Sequence, residues 1–112
     1  MKPKITEAQF QKQVIQYAKL QGWRVAHFRT SMNSRGQWMT AVQAHGAGFP
    51  DLVMVREGRL IFAELKRDER QRQKMPDNQL AWLSALQGVI AVEVYVWTPE
   101  NWIEIESVLS RS

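Results

Sequence analysis

The sequence predicts one α/β domain in which helices cover both faces of a central β-sheet. Its 112 residues are the length of a single domain, and a hydrophobic content of 45% can bury a core without disulfides. Two β-prone runs in the middle of the chain, DLVMV and RLIFAELK, are apolar on both strand faces. Strands of that kind are covered on both sides, which favours a layered α/β domain over a one-sided sheet.

The chain opens with a predicted helix from Glu7 to Gln21. Thr6 followed three residues later by Gln9 resembles a capping box, and apolar residues recur at helical spacing from Phe10 onward. Gly22 offers a C-terminal stop. These signals together predict a capped helix with one buried face.

A short strand is predicted next, over Trp23 to Phe28, because WRVAHF is rich in aromatic and β-branched residues. The segment from Arg29 to Gly48 that follows has no firm pattern. A stretch of this length without regular structure is unusual in a compact domain. We therefore expect either a functional loop or a hidden short strand around Gln37 to Val42.

The middle of the chain predicts a β-hairpin followed by a second helix. The runs from Asp51 to Val55 and from Arg59 to Lys66 flank Glu57-Gly58, which indicates a two-residue turn. Pro76-Asp77-Asn78 is typical of a helix start. The second helix is therefore expected from Asn78 to Gln87, where a glycine ends it.

The last part of the chain predicts a long strand and a final helix. Val89 to Trp97, with the sequence VIAVEVYVW, is the longest β-branched run. Thr98-Pro99-Glu100 supplies a cap, a proline at the first helical position and an acid in the first turn, so a helix is expected to about Leu109. The predicted order is α-β-loop-β-β-α-β-α, in one domain over residues 1–112 without an internal linker.

Composition excludes several kinds of site. With no cysteine the chain has no disulfide framework, no thiolate metal site and no cysteine nucleophile, and two histidines alone do not make a zinc site. Any metal chemistry is therefore expected to use carboxylates. No stretch approaches the ~20 apolar residues of a membrane span, and the start is not an apolar signal segment, so a cytoplasmic protein with no membrane partner is expected.

The net charge of +4 is concentrated in one loop. Five bases and two acids lie between Lys66 and Lys74, which gives this loop most of the excess positive charge. A basic segment of this kind favours the phosphate backbone of a nucleic acid, and a merely solvated connection is the alternative. The candidate nucleic-acid-binding residues are Arg67, Arg70, Arg72 and Lys74.

The predicted hairpin brings two acids face to face. If Glu57 and Gly58 are the two turn residues, Asp51 lies directly opposite Glu64. Opposed side chains have Cβ atoms roughly 4.5 to 5.5 Å apart on one face, where two like charges are destabilising. Lys66 points to the same face. A Mg²⁺ or Mn²⁺ ion bound by both carboxylates would relieve the repulsion, and a surface ion pair between Glu64 and Lys66 is the alternative.

Two polar side chains occupy helix positions where an apolar residue is expected. Glu7 shares the buried face of the first helix at its first turn, and Gln79 lies four residues before Leu83 on the inner face of the second helix. Each is expected to reach the sheet near the carboxylate pair. The alternatives are a favourable contact with the helix dipole for Glu7, and capping or plain burial for Gln79.

These residues resemble the PD-(D/E)xK nuclease signature, because Gly48-Phe49-Pro50-Asp51 is followed by Glu64-Leu65-Lys66. With Glu7 in an opening helix and Gln79-Leu80-Ala81-Trp82 after a basic loop, the chain is most similar to the virus-type replication-repair nuclease (VRR-NUC) branch. The resemblance spans about Thr6 to Trp97. It implies an αβββαβ core with a mixed central sheet flanked by helices.

The resemblance also implies an activity and the residues that carry it. The activity is hydrolysis of DNA phosphodiesters with Mg²⁺ or Mn²⁺. Small stand-alone phage-type members act as homodimers on branched DNA such as four-way (Holliday) junctions, which places them in a bacterial or phage-infected cell. The implied metal-binding acids are Glu7, Asp51 and Glu64. The candidate catalytic residues are Asp51, Glu64, the lysine Lys66 and Gln79, the glutamine of the following helix. The segment from Arg29 to Gly48 matches no motif of the family.

Two other functions fit the same residues. One is a non-catalytic nucleic-acid-binding module that uses the basic loop and binds no metal. The other is a sequence-specific nuclease of the restriction type. We expect selectivity for DNA structure instead, because nothing in the sequence indicates a recognition helix or a separate specificity domain.

Overall fold

The computed structural model describes residues 5–28, 31–32, 38–39 and 44–111 of the chain. The strands are β1 (Arg24–His27), β2 (Ser31–Met32), β3 (Trp38–Met39), β4 (Leu52–Arg56), β5 (Arg59–Leu65) and β6 (Val92–Trp97). The main sheet has the order β1-β4-β5-β6, with β1, β4 and β5 antiparallel neighbours and β6 parallel to β5. The two-residue strands β2 and β3 form a separate antiparallel pair.

Helices flank the main sheet. Those of the described residues are α1 (Glu7–Leu20), the single-turn α2 (Glu69–Arg72), α3 (Asp77–Gln87) and α4 (Trp102–Leu109), the last entered through a 3-10 turn at Pro99–Asn101. Helices α1 and α4 cover one face of the sheet, and α3 packs against β6 from the other. The predicted mixed α/β architecture is confirmed. Within the described ranges, no helix has both the length and the apolar character needed to cross a bilayer.

The core lies between the sheet and helices α1 and α4. Alternate residues of β4 and β5 point to this face and are buried, and α1 adds side chains at helical spacing. Burial on one face fixes the strand register, because a slip of one residue would turn this apolar set to solvent. The main core residues are Phe10, Val14, Ala18, Leu52, Met54, Ile61, Ala63, Leu65, Trp97, Ile105 and Leu109.

The hairpin between β4 and β5 has the predicted turn and register. Glu57 and Gly58 both have positive φ, +50° and +82°, as a two-residue type I′ turn requires. Arg56 pairs with Arg59, and the pairing continues without a bulge to the pair formed by Leu52 and Ala63. The predicted register is therefore confirmed over the whole ladder.

An arginine fastens the hairpin end of the sheet to two helices. The Nη1 atom of Arg56 donates to the carbonyl oxygens of Gln21 and Leu109, at 2.9 and 2.8 Å. These carbonyls belong to the C-terminal ends of α1 and α4, which lack partners within their own helices. The guanidinium also lies 4.5 Å from the ring centre of Trp23. Both helices are thus fixed at the end of the sheet that carries the hairpin turn.

Some element boundaries differ from the prediction. Strand β6 begins at Val92 rather than Val89, because a turn follows α3 in which Ala91 has a φ of +71° and Ile90 is 94% exposed. Helix α2 was not predicted, since four residues carry no periodicity; it forms where Asp68 caps it. Of the strand predicted over Gln37 to Val42, residues 38–39 form β3 and the others lie outside the described residues.

Candidate active site

Three strands present side chains at one level of the sheet, at the end opposite the hairpin turn. Continuing the hairpin register by one residue places Asp51 opposite Glu64. His27 pairs with Leu52, so the next pair along is Phe28 with Asp51, whose carbonyl oxygen accepts from the Phe28 N–H at 2.8 Å. Opposed residues share a face of the sheet. The two predicted acids therefore lie side by side on the face away from the main core.

The side chain of Asp51 is held in place by the neighbouring strand. Its Oδ2 accepts a hydrogen bond from the backbone N–H of Leu65 at 2.8 Å. Pro50, directly before it, is fully buried and restricts the backbone. One carboxylate oxygen of Asp51 is thus fixed by the strand.

Glu64 is the most unusual charged group of the site. It is 2% exposed, and its Oε2 atom is buried without a hydrogen-bond partner in the described part of the chain. Burial raises the pKa of Glu64 from 4.5 to about 9, and the hydrogen bond and negative charge of Asp51 add to the rise. The positive charge of Lys66 opposes this pKa shift only in part. Where no cation is bound, this raised pKa favours the protonated form of Glu64 at neutral pH.

Glu7 lies beside this pair rather than within it. It is half-buried in the first turn of α1, and its charge contributes to the raised pKa of Glu64. Over the ranges that the structure describes, no three His, Cys, Asp or Glu residues are arranged to hold a metal ion. The geometry is thus a core of two carboxylates with a third acid nearby, and the metal-binding role of Glu7 stays a prediction.

The two strand carboxylates fit a hard divalent cation. A buried carboxylate oxygen without a partner is costly, and a bound cation is one way to satisfy it. Mg²⁺ keeps several waters and is commonly held by one or two carboxylates together with substrate phosphates. Asp51 and Glu64 are therefore the two residues that could hold such an ion.

The side chains of Lys66 and Gln79 contact each other, and Gln79 reaches the sheet from α3 as predicted. The Nζ atom of Lys66 donates to Oε1 of Gln79 at 2.6 Å, and Lys66 is only 7% exposed. The backbone of Lys66 is fixed as well, since its N–H donates to the carbonyl of Trp97 at 2.9 Å. The amide of Gln79 thus holds a buried ammonium group beside the carboxylate pair.

An aromatic cluster that no local sequence pattern predicts borders the site. The ring of Phe49 makes edge-to-face contacts with Phe28, Phe62 and Trp82, at centroid distances of 5.5, 5.8 and 4.9 Å. The indole Nε1 of Trp82 donates to the carbonyl of His45 at 2.7 Å. These contacts fasten the segment before Asp51 to α3. The one sequence feature that could have indicated this cluster is the position of Phe49, two residues before Asp51, whose orientation the site depends on.

The four candidate residues of the basic loop differ in their partners. Arg67 lies 3.5 Å from Asp68, and Arg72 lies 3.6 Å from Glu69, both as solvent-exposed ion pairs. Arg70 and Lys74 are exposed and form no ion pair with a described residue. Two of the four cations are therefore partly neutralised, whereas Arg70 and Lys74 keep their full charge for an external anion.

The site contains two adjoining carboxyl groups, of which Glu64 has a raised pKa. Beside them lies the buried Lys66, which donates a hydrogen bond to Gln79, and the basic loop begins directly after this lysine. This set can bind a divalent cation and a phosphate side by side. A scan against models of protein families gives no match, and a search of curated proteins gives no significant match.

Proposed function

We propose that the protein is a Mg²⁺- or Mn²⁺-dependent endonuclease that hydrolyses DNA phosphodiester bonds. The observation that carries the proposal is the buried, unpartnered carboxyl oxygen of Glu64, held against Asp51 with Lys66 alongside. A scaffold with no function at this place has no need to bury a second acid next to the first. The basic loop beside it supplies a surface for a polyanion.

Each residue has a distinct task in the proposed reaction. A divalent cation, when bound, would supply charge stabilisation at the phosphate and a more acidic water. Asp51 and Glu64 hold the cation, and Asp51 is kept in orientation by the N–H of Leu65. As an ammonium group, Lys66 would provide a positive charge where the attacked phosphate becomes more negative. Only as a neutral amine would it instead take a proton from the attacking water. Gln79 keeps the Lys66 ammonium in position.

The preference for branched DNA and the homodimer belong to the same proposal. Both rest on the resemblance of the Pro-Asp, Glu-x-Lys and glutamine motifs to the VRR-NUC branch of the PD-(D/E)xK nucleases. The same resemblance supports the proposal that the protein acts in the cytoplasm of a bacterial or phage-infected cell. The order α-β-β-β-α-β of α1, β1, β4, β5, α3 and β6 is compatible with that core. Sedimentation of the purified chain tests the dimer.

Cleavage of defined DNA substrates tests the activity. With Mg²⁺ or Mn²⁺ the purified protein is expected to cut a four-way junction or flap and to stop when the metal is chelated. Asp51→Ala is expected to lower the rate by at least about 100-fold, because it removes a ligand that acts on the developing charge. DNA binding, measured by mobility shift, should stay largely intact. Full activity of the variant would end the proposal.

Two outcomes of the same assay favour the alternatives. Cuts at one sequence of linear duplex, with junctions ignored, would indicate a restriction-type nuclease. The protein would be a non-catalytic binding module if it binds DNA through the loop of Arg70 and Lys74 but never cuts it. Its melting temperature would then be the same with and without Mn²⁺.

The two unpaired cations of the loop are expected to contribute most to DNA binding. The double variant Arg70→Ala/Lys74→Ala should weaken binding and lower the slope of log K against log salt by about two, because each phosphate contact contributes roughly 0.9. The matched double variant Arg67→Ala/Arg72→Ala removes the same charge but also breaks the ion pairs with Asp68 and Glu69. Fluorescence anisotropy titrations at several salt concentrations measure both. Equal slopes in the two variants would contradict this ranking.

A further inference from the structure

Phe28 occupies a special position at the edge of the candidate site. It directly follows β1 and is the cross-strand partner of Asp51, to whose carbonyl oxygen its backbone N–H donates at 2.8 Å. Partner residues share one sheet face, and Asp51 in turn faces Glu64. The three residues form a transverse row, so the ring of Phe28 flanks the carboxylate pair on the β1 side.

The ring is held firmly, yet it remains in contact with solvent. Phe28 is 48% exposed, although it meets Phe49 edge to face at 5.5 Å. Phe49 is itself braced by Phe62 and Trp82. The backbone hydrogen bond to Asp51 fixes the position of Phe28 along the strand. A phenyl group that is anchored at one side and open at another has the properties of a docking surface for a flat apolar ligand.

We propose that Phe28 stacks on a nucleobase next to the phosphate that the carboxylate pair would hold. This inference rests on the proposed nuclease function. Every base has a π face, so stacking on an aromatic ring binds nucleotides without reading their sequence. In a paired duplex those faces are occupied by neighbouring base pairs. Only a nucleotide that is unpaired or splayed out can offer its face to Phe28, and so the ring itself would select for irregular DNA.

A fluorescent base at an unpaired position tests this contact. The probe is a flap oligonucleotide with 2-aminopurine at the unpaired nucleotide beside the branch, titrated with the Glu64→Gln protein, in which the proposed cleavage is blocked. Binding is expected to quench the probe at least about twofold through stacking. Adding Phe28→Leu, which keeps the apolar contact with Phe49, should abolish the quenching and weaken flap binding by about fivefold or more. Adding Phe28→Tyr should restore both.

Two controls separate stacking from loss of structure. Affinity for a fully paired duplex should be the same for the leucine and tyrosine variants, since neither can stack on a paired base. Ile103→Ala, at an apolar residue that is 84% exposed on α4, should alter neither quenching nor affinity. Melting temperatures of all variants show whether the fold is kept.

The outcomes distinguish this inference from the nuclease proposal. Equal quenching with leucine and with phenylalanine at position 28 overturns the stacking, and the nuclease proposal survives if the wild-type chain still cuts in Mg²⁺. If the quenching depends on the aromatic ring but the wild-type chain cuts no DNA at all, the stacking contact is supported and the nuclease proposal is contradicted.

Discussion

Replacing Glu64 with glutamine is expected to abolish cleavage and yet to stabilise the metal-free fold at neutral and alkaline pH. The pKa of Glu64 is raised to about 9, chiefly by burial and further by the hydrogen bond and charge of Asp51. The folded chain therefore retains a proton that the unfolded chain loses above its ordinary pKa of 4.5. Glutamine has the shape of the protonated acid but does not ionise. The variant therefore keeps the packing around residue 64 but has no carboxyl group to titrate there.

The direction of the pH effect follows from proton linkage. Between pH 4.5 and about 9 the folded state binds more protons at Glu64 than the unfolded state, so the free energy of unfolding falls as the pH rises. One proton gives a slope of at most about 1.4 kcal/mol per pH unit. The contribution is fully present below pH 4.5 and is lost by the time the pH has passed about 9. Without metal, Glu64→Gln should therefore melt several degrees above the wild type at pH 8 and close to it near pH 4.5.

A divalent cation is expected to reverse this order. Binding requires that Glu64 release its proton, so the affinity for the cation should rise with pH. A ligand that binds only the folded state stabilises it by about 2.7 kcal/mol at 100 times its Kd. The melting temperature of the wild type should thus increase with Mn²⁺, whereas that of Glu64→Gln should not.

Thermal melts from pH 5 to pH 9, with and without Mn²⁺, measure both effects. The control is Glu57→Gln, which makes the same chemical change at an exposed position of the hairpin turn. This control should follow the wild type in its pH dependence and in its response to Mn²⁺. If Glu64→Gln also shows the wild-type pH slope, the carboxyl group of Glu64 does not hold a proton in the folded state.

Gly48→Ala is expected to be strongly destabilising, and Gly58→Ala only mildly so. Both glycines have a positive φ, +87° and +82°, where an L-residue costs roughly 1–2 kcal/mol. A Cβ on Gly58 would meet nothing within 4 Å, but on Gly48 it would lie 2.7 Å from the backbone carbonyl carbon of Asn78. Relief of that overlap requires the segment to move off α3, which adds about 1–3 kcal/mol.

Urea unfolding of the two glycine variants measures the difference. The midpoint should fall much further for Gly48→Ala than for Gly58→Ala, with similar m-values. Cleavage by folded Gly48→Ala should also drop, because Gly48 contacts α3 one residue before Gln79 and lies three residues before Asp51. Equal losses of stability would show that close packing against Asn78 is unimportant.

The sequence was sufficient to predict the parts of the site that depend on local signals. The turn at Glu57-Gly58 set the hairpin register, and that register brought Asp51 to Glu64. Helical spacing alone placed Gln79 on the inner face of α3, where it binds Lys66. Each of these predictions stayed within one hairpin or one helix, for which backbone geometry leaves few arrangements.

The remaining features depend on contacts between distant segments. Phe28, Phe49 and Trp82 form a cluster only because the segment before Pro50 docks on α3, and no local pattern encodes that docking. The protonation of Glu64 depends on how completely the folded chain removes it from water. The neutralisation of two loop arginines arises from α2, a single turn whose cap at Asp68 was not recognised.

The transverse row of Phe28, Asp51 and Glu64 lies at the ends of β1, β4 and β5, so it exists only when the two strand pairings between them are both correct. A misalignment by one position would send a carboxylate to the wrong side of the sheet. Under the proposed metal binding, divalent ions would then find both carboxylate ligands only in correctly paired molecules. When supplied during refolding, such ions would stabilise molecules with the native strand pairings relative to misaligned ones, before any substrate is present.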